Sequence, residues 1–338
     1  MKAWILEEAR KLKLQEFQPT EVKIDQIKVK IEEVLLTNSD YEVYTGASKR
    51  KYPFVMCKNA VGVVSQLGDP ENAYFQKMDR VAIEPYISCE VCEECKKGNY
   101  EHCSNMQELG YNTDGLLKNF VDLHYSQLHR LPDTLSTDKA LFVSYVAFCL
   151  SVIDALNLEK GRHIAIFSST KTGLILAQLI AYYQAVPVFI SNKQDLLQTA
   201  REMGIFYCFD IDKTDVEKEL TIITGGRMCS EIVFFSNGDF NMKDIYNVAA
   251  VNANICLAGY SNKESKLSVA QICKKHLNIF GVYNGAGNYS SAINMLVTDT
   301  VNVDQLIGSK INFDDLDKEI SKITLDNLVL KSNIVKIN

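Results

Sequence analysis

The chain of 338 residues is 47% hydrophobic and 23% charged, with a formal net charge of −6. This composition suits one large or two medium globular domains. Because lysines and glutamates are interleaved and no basic block occurs, nucleic-acid binding is not expected. The first residues lack the apolar core of a signal peptide, and most cysteines outside one cluster lie in apolar settings typical of buried free thiols. The sequence therefore predicts a cytoplasmic protein.

The first part of the chain, to about residue 145, consists of short β-like runs separated by turn residues. Strands are predicted over residues 26–36 and 61–67, and a loop over residues 68–72. The most apolar run, residues 141–156, contains two serines and an aspartate and is shorter than a membrane span. A buried helix is therefore predicted there, and no association with a membrane.

Four cysteines follow the spacing C-x2-C-x2-C-x7-C: Cys89, Cys92, Cys95 and Cys103. Four thiolates this close together supply the tetrahedral donor set of a structural zinc. A disulfide framework is the alternative, but a chain this long and apolar does not need one. Because sulfur fills all four positions, we predict one structural Zn²⁺ per chain that stabilises a loop and takes no part in chemistry.

Strand-like and helix-like segments alternate from about residue 160. Strands are predicted over residues 163–167, 186–191, 206–209, 231–236, 253–259 and 277–282, and helices over 173–185 and 195–203. Repeated β–α units predict an α/β fold with a doubly wound parallel sheet. The tail after about residue 283 is too short for a core of its own. The predicted domains are thus residues 1–145 with 283–338, and residues 146–282.

The turn after the first strand of such a sheet is where dinucleotides bind. Here it comprises Ser168, Ser169, Thr170, Lys171, Thr172 and Gly173, so only the third glycine of a GxGxxG fingerprint is present. Hydroxyl groups and Lys171 could contact a phosphate at the helix N-terminus. The β-carbons of Ser168 and Thr170, however, would crowd a cofactor lying against the backbone. The sequence of this turn therefore neither establishes nor excludes dinucleotide binding.

The end of the second strand, Ser191-Asn192-Lys193, bears on the choice of cofactor. An acidic residue there bonds the ribose of NAD, whereas a basic residue favours the extra phosphate of NADP. Because the acid is absent and Lys193 is near, NADP(H) is favoured over NAD(H) if a cofactor binds. The alternative is that Asn192 caps the next helix and Lys193 faces water.

Several strings show a family resemblance. KMDRVAIEP at residues 77–85 is similar to a Gly-Asp-Arg-Val segment with Met78 replacing the glycine, and the cysteine quartet resembles a structural-zinc lobe, here residues 86–105. The stretches 281–296 and 303–308 are similar to sorbitol dehydrogenases. The chain thus resembles the medium-chain dehydrogenase/reductase superfamily, on its zinc-dependent alcohol and polyol dehydrogenase branch. This implies a GroES-like β-rich catalytic domain, a Rossmann-type nucleotide-binding domain, a small-molecule substrate, and a homodimer or homotetramer paired through residues 277–282.

The resemblance also locates the family's catalytic zinc, whose ligands this chain lacks. Thr37 stands where relatives have a cysteine, and Cys57-Lys58-Asn59 stands where they have Gly-His-Glu. Ser144 aligns with a further acidic residue. Threonine, lysine, asparagine and serine do not hold Zn²⁺ tightly, so no catalytic zinc is expected.

Two functions are compatible with these replacements. In the first, an oxidoreductase transfers hydride between NADP(H) or NAD(H) and a carbonyl or polyol-like substrate without catalytic zinc. Lys58 would act as electrophile or general acid, and Ser39 falls where the family has a proton-relay hydroxyl. Thr37, Asn59 and Ser144 could orient the carbonyl. In the second, a non-catalytic descendant keeps the fold and the structural zinc and acts as a binding or interaction protein, and these side chains only satisfy one another.

Overall fold

The structure is a computed structural model that describes residues 1–48, 50–235, 240–260 and 264–337. The chain divides into two compact units. The first unit comprises residues 1–144, 289–297 and 303–338, and the second comprises residues 145–288 and 298–302. Among the described residues, no helix combines the length and apolar character that a membrane crossing requires.

The first unit begins with a β-rich segment. Its elements are β1 (Lys2–Glu8), β2 (Lys11–Glu16), β3 (Gln26–Leu36), α1 (Asn38–Thr45), β4 (Phe54–Val55), β5 (Asn59–Leu67), β6 (Arg80–Ile83), β7 (Tyr86–Ile87), α2 (Glu93–Lys96), β8 (Gln107–Glu108), β9 (Phe120–His124), β10 (Leu128–Arg130) and α3 (Thr137–Ala140).

Helix α4 leads into the second unit, where strands and helices alternate. The elements are α4 (Val143–Ala155), β11 (His163–Phe167), α5 (Lys171–Tyr182), β12 (Val186–Ser191), α6 (Gln194–Glu202), β13 (Tyr207–Asp210), α7 (Val216–Ile223), β14 (Cys229–Phe235), α8 (Met242–Val248), β15 (Ala249–Ala258), α9 (Val269–Lys275) and β16 (Asn278–Val282). The first unit is completed by α10 (Tyr289–Val297), β17 (Ile307–Asn312), α11 (Leu316–Ile320), α12 (Leu325–Leu330) and β18 (Ser332–Lys336).

The largest sheet of the first unit has the strand order β10-β6-β5-β3-β18-β17, with β9 also pairing with β3. Its central strand β3 buries Ile27, Val29 and Ile31 in the core, as a strand with both neighbours paired should. Gly62 lets β5 approach β3 closely, because a β-carbon there would lie 2.3 Å from the Lys30 carbonyl oxygen. Smaller sheets are formed by β2-β1-β4 and by β7-β8.

The sheet of the second unit is parallel throughout, with the order β13-β12-β11-β14-β15-β16. This confirms the predicted doubly wound sheet, and its order reverses between β11 and β14, where such folds bind ligands. Strands β11 and β12 have the predicted bounds. The strand predicted over residues 231–236 is β14, which begins two residues earlier; Ser236 lies outside the described residues.

Candidate functional site

The four predicted zinc ligands lie together in the first unit, between β7 and β8. All four Sγ atoms lie within 4.8 Å of one another, and those of Cys92 and Cys103 are 4.0 Å apart. Tetrahedral zinc with bonds of about 2.3 Å requires sulfur separations of roughly 3.8 Å, so the donor set fits the ion. The backbone N–H of Cys89 donates to Cys103 Sγ at 3.2 Å, and that of Cys92 donates to Cys89 Sγ at 3.4 Å.

Backbone N–H groups near the quartet favour the thiolate form of Cys92, which is the form that binds a metal cation. The N–H of Cys95, followed by that of Ser104, lowers the pKa of Cys92 to about 5. Burial raises the pKa of Cys95 to about 12. A bound Zn²⁺ would hold all four side chains as thiolates, so metal binding and proton release are linked at this lobe. In the described part of the chain, no other group of three or more His, Cys, Asp or Glu residues is placed to hold a metal.

Thr37, which replaces a metal-ligating cysteine in the resemblance, caps helix α1. Its hydroxyl donates to Asp40 Oδ2 at 2.5 Å, and its backbone N–H donates to the same oxygen at 2.9 Å. The Ser39 hydroxyl lies 2.8 Å from the Thr37 hydroxyl. Burial raises the pKa of Asp40, opposed by the bonds from Thr37 and by the charge of Lys58. Thr37 and Ser39 are therefore brought together with Lys58 in one polar cluster.

Lys58 forms an ion pair with Glu108, the last residue of β8. The Glu108 side chain is 4% exposed and that of Lys58 is 30% exposed, so the carboxylate is the buried partner. Beside the pair, the Ser144 hydroxyl donates to Asn59 Oδ1 at 2.7 Å. The positions that would carry metal ligands thus form ion pairs and hydrogen bonds between side chains.

The turn between β11 and α5 is filled by its own side chains. Ser168 Oγ accepts a bond from the Thr170 N–H at 3.2 Å and donates to the Thr170 carbonyl at 3.0 Å. Thr170 is the N-cap of α5 but makes no side-chain capping bond, and its buried hydroxyl has no partner among the described residues. Thr172 is buried in the first turn of the helix. A β-carbon at Gly173 would lie 2.4 Å from the Ser168 β-carbon, so close packing requires this glycine.

The two lysines predicted near a cofactor have different surroundings. Lys171 is 1% exposed, with its Nζ 5.9 Å from the centroid of the Tyr145 ring, and burial lowers its pKa to about 7. Lys193 is half-buried at the N-cap of α6. Asn192 does not cap that helix, as one alternative held; its Oδ1 accepts a bond from Ser169 Oγ at 3.1 Å. That bond joins the end of β12 to the turn between β11 and α5.

Two family models match the sequence over most of this structure. The alcohol dehydrogenase GroES-like domain matches residues 23–133, and the zinc-binding dehydrogenase model matches residues 172–298. Together they span more than half of the chain. The chain belongs to the zinc-type medium-chain dehydrogenase/reductase family. The β-rich first unit therefore contains the predicted GroES-like domain, and the parallel sheet is the Rossmann-type sheet of this family.

Relatives of this family cover nearly the whole chain. An uncharacterised zinc-type alcohol dehydrogenase-like protein of Haemophilus influenzae is 26% identical, covering 100% of this chain and 98% of that protein. Sorbitol dehydrogenase of Bacillus subtilis is 24% identical, covering 91% and 89%. A crystal structure from Sinorhizobium meliloti bound to NADP matches with a TM-score of 0.88 at 19% identity, covering 99% and 98%. At that identity the likeness shows the fold alone.

Two residues at positions where the resemblance places a family glycine have a left-handed backbone. Cys57 has a φ of 69° and Met78 a φ of 74°, in the left-handed region that favours glycine. Both residues stand where the resemblance places a family glycine. A glycine would adopt the backbone conformation of these two residues without strain.

Sequence reasoning missed Glu108 and Tyr289. Glu108 belongs to no motif; it lies opposite Tyr86 in the pairing of β7 with β8, and its side chain pairs with Lys58. Tyr289 is 1% exposed, and its hydroxyl has no hydrogen-bond partner among the described residues. Burial, with nearby negative groups including Glu84 and Glu108, raises its pKa well above the usual value. Its hydroxyl therefore keeps its proton and stays neutral.

Proposed function

We propose that the protein is an oxidoreductase that transfers hydride between NADP(H) or NAD(H) and a carbonyl or polyol-like substrate without a catalytic zinc. The observation that carries the proposal is the Lys58–Glu108 ion pair, at a position where the resemblance places a metal ligand. A fixed positive group there can stabilise the negative charge that develops on a reacting oxygen.

The surrounding side chains suit this role. Glu108 fixes the ammonium of Lys58 in place while leaving the side chain partly exposed. The adjoining Thr37 and Ser39 hydroxyls, 2.8 Å apart, offer a short path for a proton. Lys58 is therefore the proposed electrophile, and Ser39 the proposed proton relay.

Binding of a nicotinamide cofactor is part of this proposal. Support comes from the family, from the strand order of the second unit and from a structural neighbour bound to NADP. Residues 168–173 with Asn192 and Lys193 would hold it. A bound cofactor supplies or accepts the hydride, and Lys193 at the end of β12 favours NADP(H). We also propose a cytoplasmic location and a homodimer or homotetramer.

Titration of the purified, zinc-loaded chain with NADPH and NADH, followed by nucleotide fluorescence or calorimetry, tests this function. We expect NADPH to bind more tightly than NADH, and Lys193→Glu to weaken NADPH binding more than NADH binding. Metal analysis should give one zinc per chain. With any substrate found in a panel of carbonyl compounds, the double variant Lys58→Met, Glu108→Gln should lose turnover while keeping cofactor binding. No binding of either nucleotide at millimolar concentration would refute the proposal.

One observation favours a second candidate, a non-catalytic protein that retains the fold and the structural zinc and binds a partner or small ligand. The Thr170 N–H, which lies where a cofactor phosphate would need a donor, is already bonded to Ser168 Oγ. The same titration separates the candidates, because a non-catalytic protein needs neither nucleotide.

A further inference from the structure

Arg50 has an unusual environment in the first unit. Its guanidinium carbon lies 3.7 Å from the centroid of the Tyr111 ring, so the planar group is close to the aromatic face. Its Nε is buried and has no hydrogen-bond partner among the described residues. No carboxylate in the described ranges pairs with it either. The charge of Arg50 is therefore not neutralised within the described part of the chain.

The ring under Arg50 belongs to the turn that also holds Lys58. Backbone N–H groups of Tyr111, Asn112 and Thr113 donate to the Glu108 carbonyl oxygen at 3.1, 3.1 and 3.3 Å, which makes this turn compact. The Glu108 side chain pairs with Lys58 at the start of the same turn. Residues 108–113 thus contact two cationic side chains, Arg50 through the Tyr111 ring and Lys58 through the Glu108 carboxylate.

This turn packs on the backbone next to Lys58. A β-carbon at Gly110 would lie 2.6 Å from the Cys57 carbonyl oxygen, so the turn and the segment before Lys58 are in direct contact. The Leu116 N–H also donates to the Cys57 carbonyl at 2.8 Å. Arg50 therefore contacts a turn that itself lies against the backbone next to Lys58.

Lys58 and Arg50 differ in how far their positive charges are neutralised by neighbouring residues. Glu108 balances the charge of Lys58, whereas the guanidinium of Arg50 retains its full charge. A guanidinium held against an aromatic ring is pre-organised, and its planar set of N–H donors matches the paired oxygens of a phosphate or carboxylate. Neutral polyols lack such a group.

We propose that Arg50 binds an oxyanion of the substrate, a phosphate monoester or a carboxylate, beside the reacting oxygen at Lys58. The substrate class is then an anionic carbonyl or hydroxyl compound, not a neutral polyol. Only the reaction rests on the proposed function; binding of the anion does not depend on it.

Isothermal titration of the zinc-loaded full chain with inorganic phosphate and with acetate tests the site. We expect at least one of the two anions to bind, and Arg50→Gln to weaken that binding roughly tenfold or more, as for loss of a charged hydrogen-bond donor. Arg162→Gln is the matched control, since Arg162 is an exposed arginine already paired with Glu159. Its affinities should equal those of the unmodified chain.

Parallel titration with NADPH separates this inference from the proposed function. If Arg50→Gln leaves phosphate and acetate affinities unchanged, or if neither anion binds the unmodified chain, the inference is wrong. The proposed function still stands in that case if NADPH binds. If anion binding depends on Arg50 while neither nucleotide binds, the anion site stands and the oxidoreductase is excluded. Circular dichroism and zinc content of Arg50→Gln should match the unmodified chain.

Discussion

At the scale of single residues, Lys58 is a cation where the resemblance places a metal-ligating histidine, and the buried carboxylate of Glu108 balances its charge. The two side chains are energetically dependent on each other because the carboxylate cannot reach water. Removing one partner of a buried pair costs much more than the pair contributes to stability, since an unpaired charge is left in the interior. A variant that removes Lys58 alone is therefore expected to lose stability as well as any catalytic role of Lys58, so the two effects must be measured separately.

We predict that Lys58→Met lowers the free energy of unfolding by about 3–5 kcal/mol. The double variant Lys58→Met, Glu108→Gln should recover most of this loss, because no bare carboxylate remains. Urea unfolding of the three proteins measures both effects. Lys322→Met removes an exposed ion pair with Glu319 and should cost under about 1 kcal/mol. A Lys58→Met effect as small as this control would show that Glu108 is solvated.

Lys171 should make stability depend on pH. Burial lowers its pKa to about 7, whereas an unfolded lysine has a pKa of about 10.4. Between these values the unfolded chain holds a proton that the folded chain lacks, so this residue's contribution to the free energy of unfolding rises with pH. Lys171→Met should be more stable than the unmodified chain by about 2–4 kcal/mol at pH 7, and by less at pH 9.

Chemical denaturation at pH 7, 8 and 9 measures this difference. Lys160→Met, at an exposed position, should show no such trend. A constant difference between Lys171→Met and the unmodified chain across this range would contradict a lowered pKa at Lys171.

The candidate site was only partly predictable at the residue scale. The spacing along the chain predicted the cysteine quartet as a unit, and the structure brings its four sulfurs together. Glu108 and Arg50 carry no such pattern. Their roles come from a β7–β8 pairing and from a ring contact with Tyr111, and neither the strand pairing nor the ring contact is encoded in adjacent residues.

At the scale of elements, the β11–α5 turn shows how side chains can replace glycines without changing the fold. A β-carbon at Gly173 would lie 2.4 Å from the Ser168 β-carbon and 3.0 Å from the Phe189 ring. We predict that Gly173→Ala lowers the free energy of unfolding by about 1–3 kcal/mol through overpacking. Adding Ser168→Gly should relieve part of it, so the two changes should not be additive in a double-mutant cycle.

Thermal and urea unfolding give the four values of this cycle. Gly281→Ala is the steric control, because a β-carbon there meets only the Leu257 carbonyl oxygen at 3.9 Å. Ser168→Gly should also release the Thr170 N–H and raise affinity for NADPH. Additive stability effects would mean that Ser168 does not cause the crowding.

The second case at this scale is the predicted zinc lobe, residues 86–105. Disruption of the lobe should also affect the neighbouring Lys58–Glu108 pair. Strand β8 closes the lobe and ends at Glu108, which holds Lys58. We predict that chelation of the zinc, or Cys92→Ser, lowers thermal stability and exposes residues 86–105 to proteases. Structural zinc contributes about 10–16 kcal/mol in finger peptides, and this larger unit should lose only part of that. Cys273→Ser, at an exposed cysteine outside the lobe, should change neither property.

Elements were better predicted than the site. The periodicity of apolar residues set the bounds of β3, β11 and β12 correctly, because their burial is nearly continuous. Helix α5 begins two residues earlier than predicted, at Lys171, since a buried lysine and threonine occupy its first turn. Polar residues at a buried helix start give no hydrophobic signal.

At the scale of the whole molecule, the family's fold is present, and the positions where the resemblance places catalytic-metal ligands carry other residues. The parallel sheet and the GroES-like sheet are held by apolar cores that include no predicted metal ligand of the catalytic kind. Residue changes at those positions would alter charge and coordination without changing these cores. The quartet, in contrast, lies between the two-residue strands β7 and β8, where a bound zinc would stabilise the lobe.

The last prediction concerns association of whole chains. Strand β16 lies at one edge of the parallel sheet, and an open edge strand presents unpaired backbone groups to another chain. We expect the unmodified chain to sediment as a dimer or tetramer, and Gly281→Lys to shift it towards monomer. The substitution suits this test because the added β-carbon has room, so the sheet itself should stay folded. Gln198→Lys, an equal charge change at an exposed position of helix α6, should leave the sedimentation coefficient unchanged. An unmodified chain that is monomeric at tens of micromolar, or a Gly281→Lys variant that associates normally, would place the interface elsewhere or remove it.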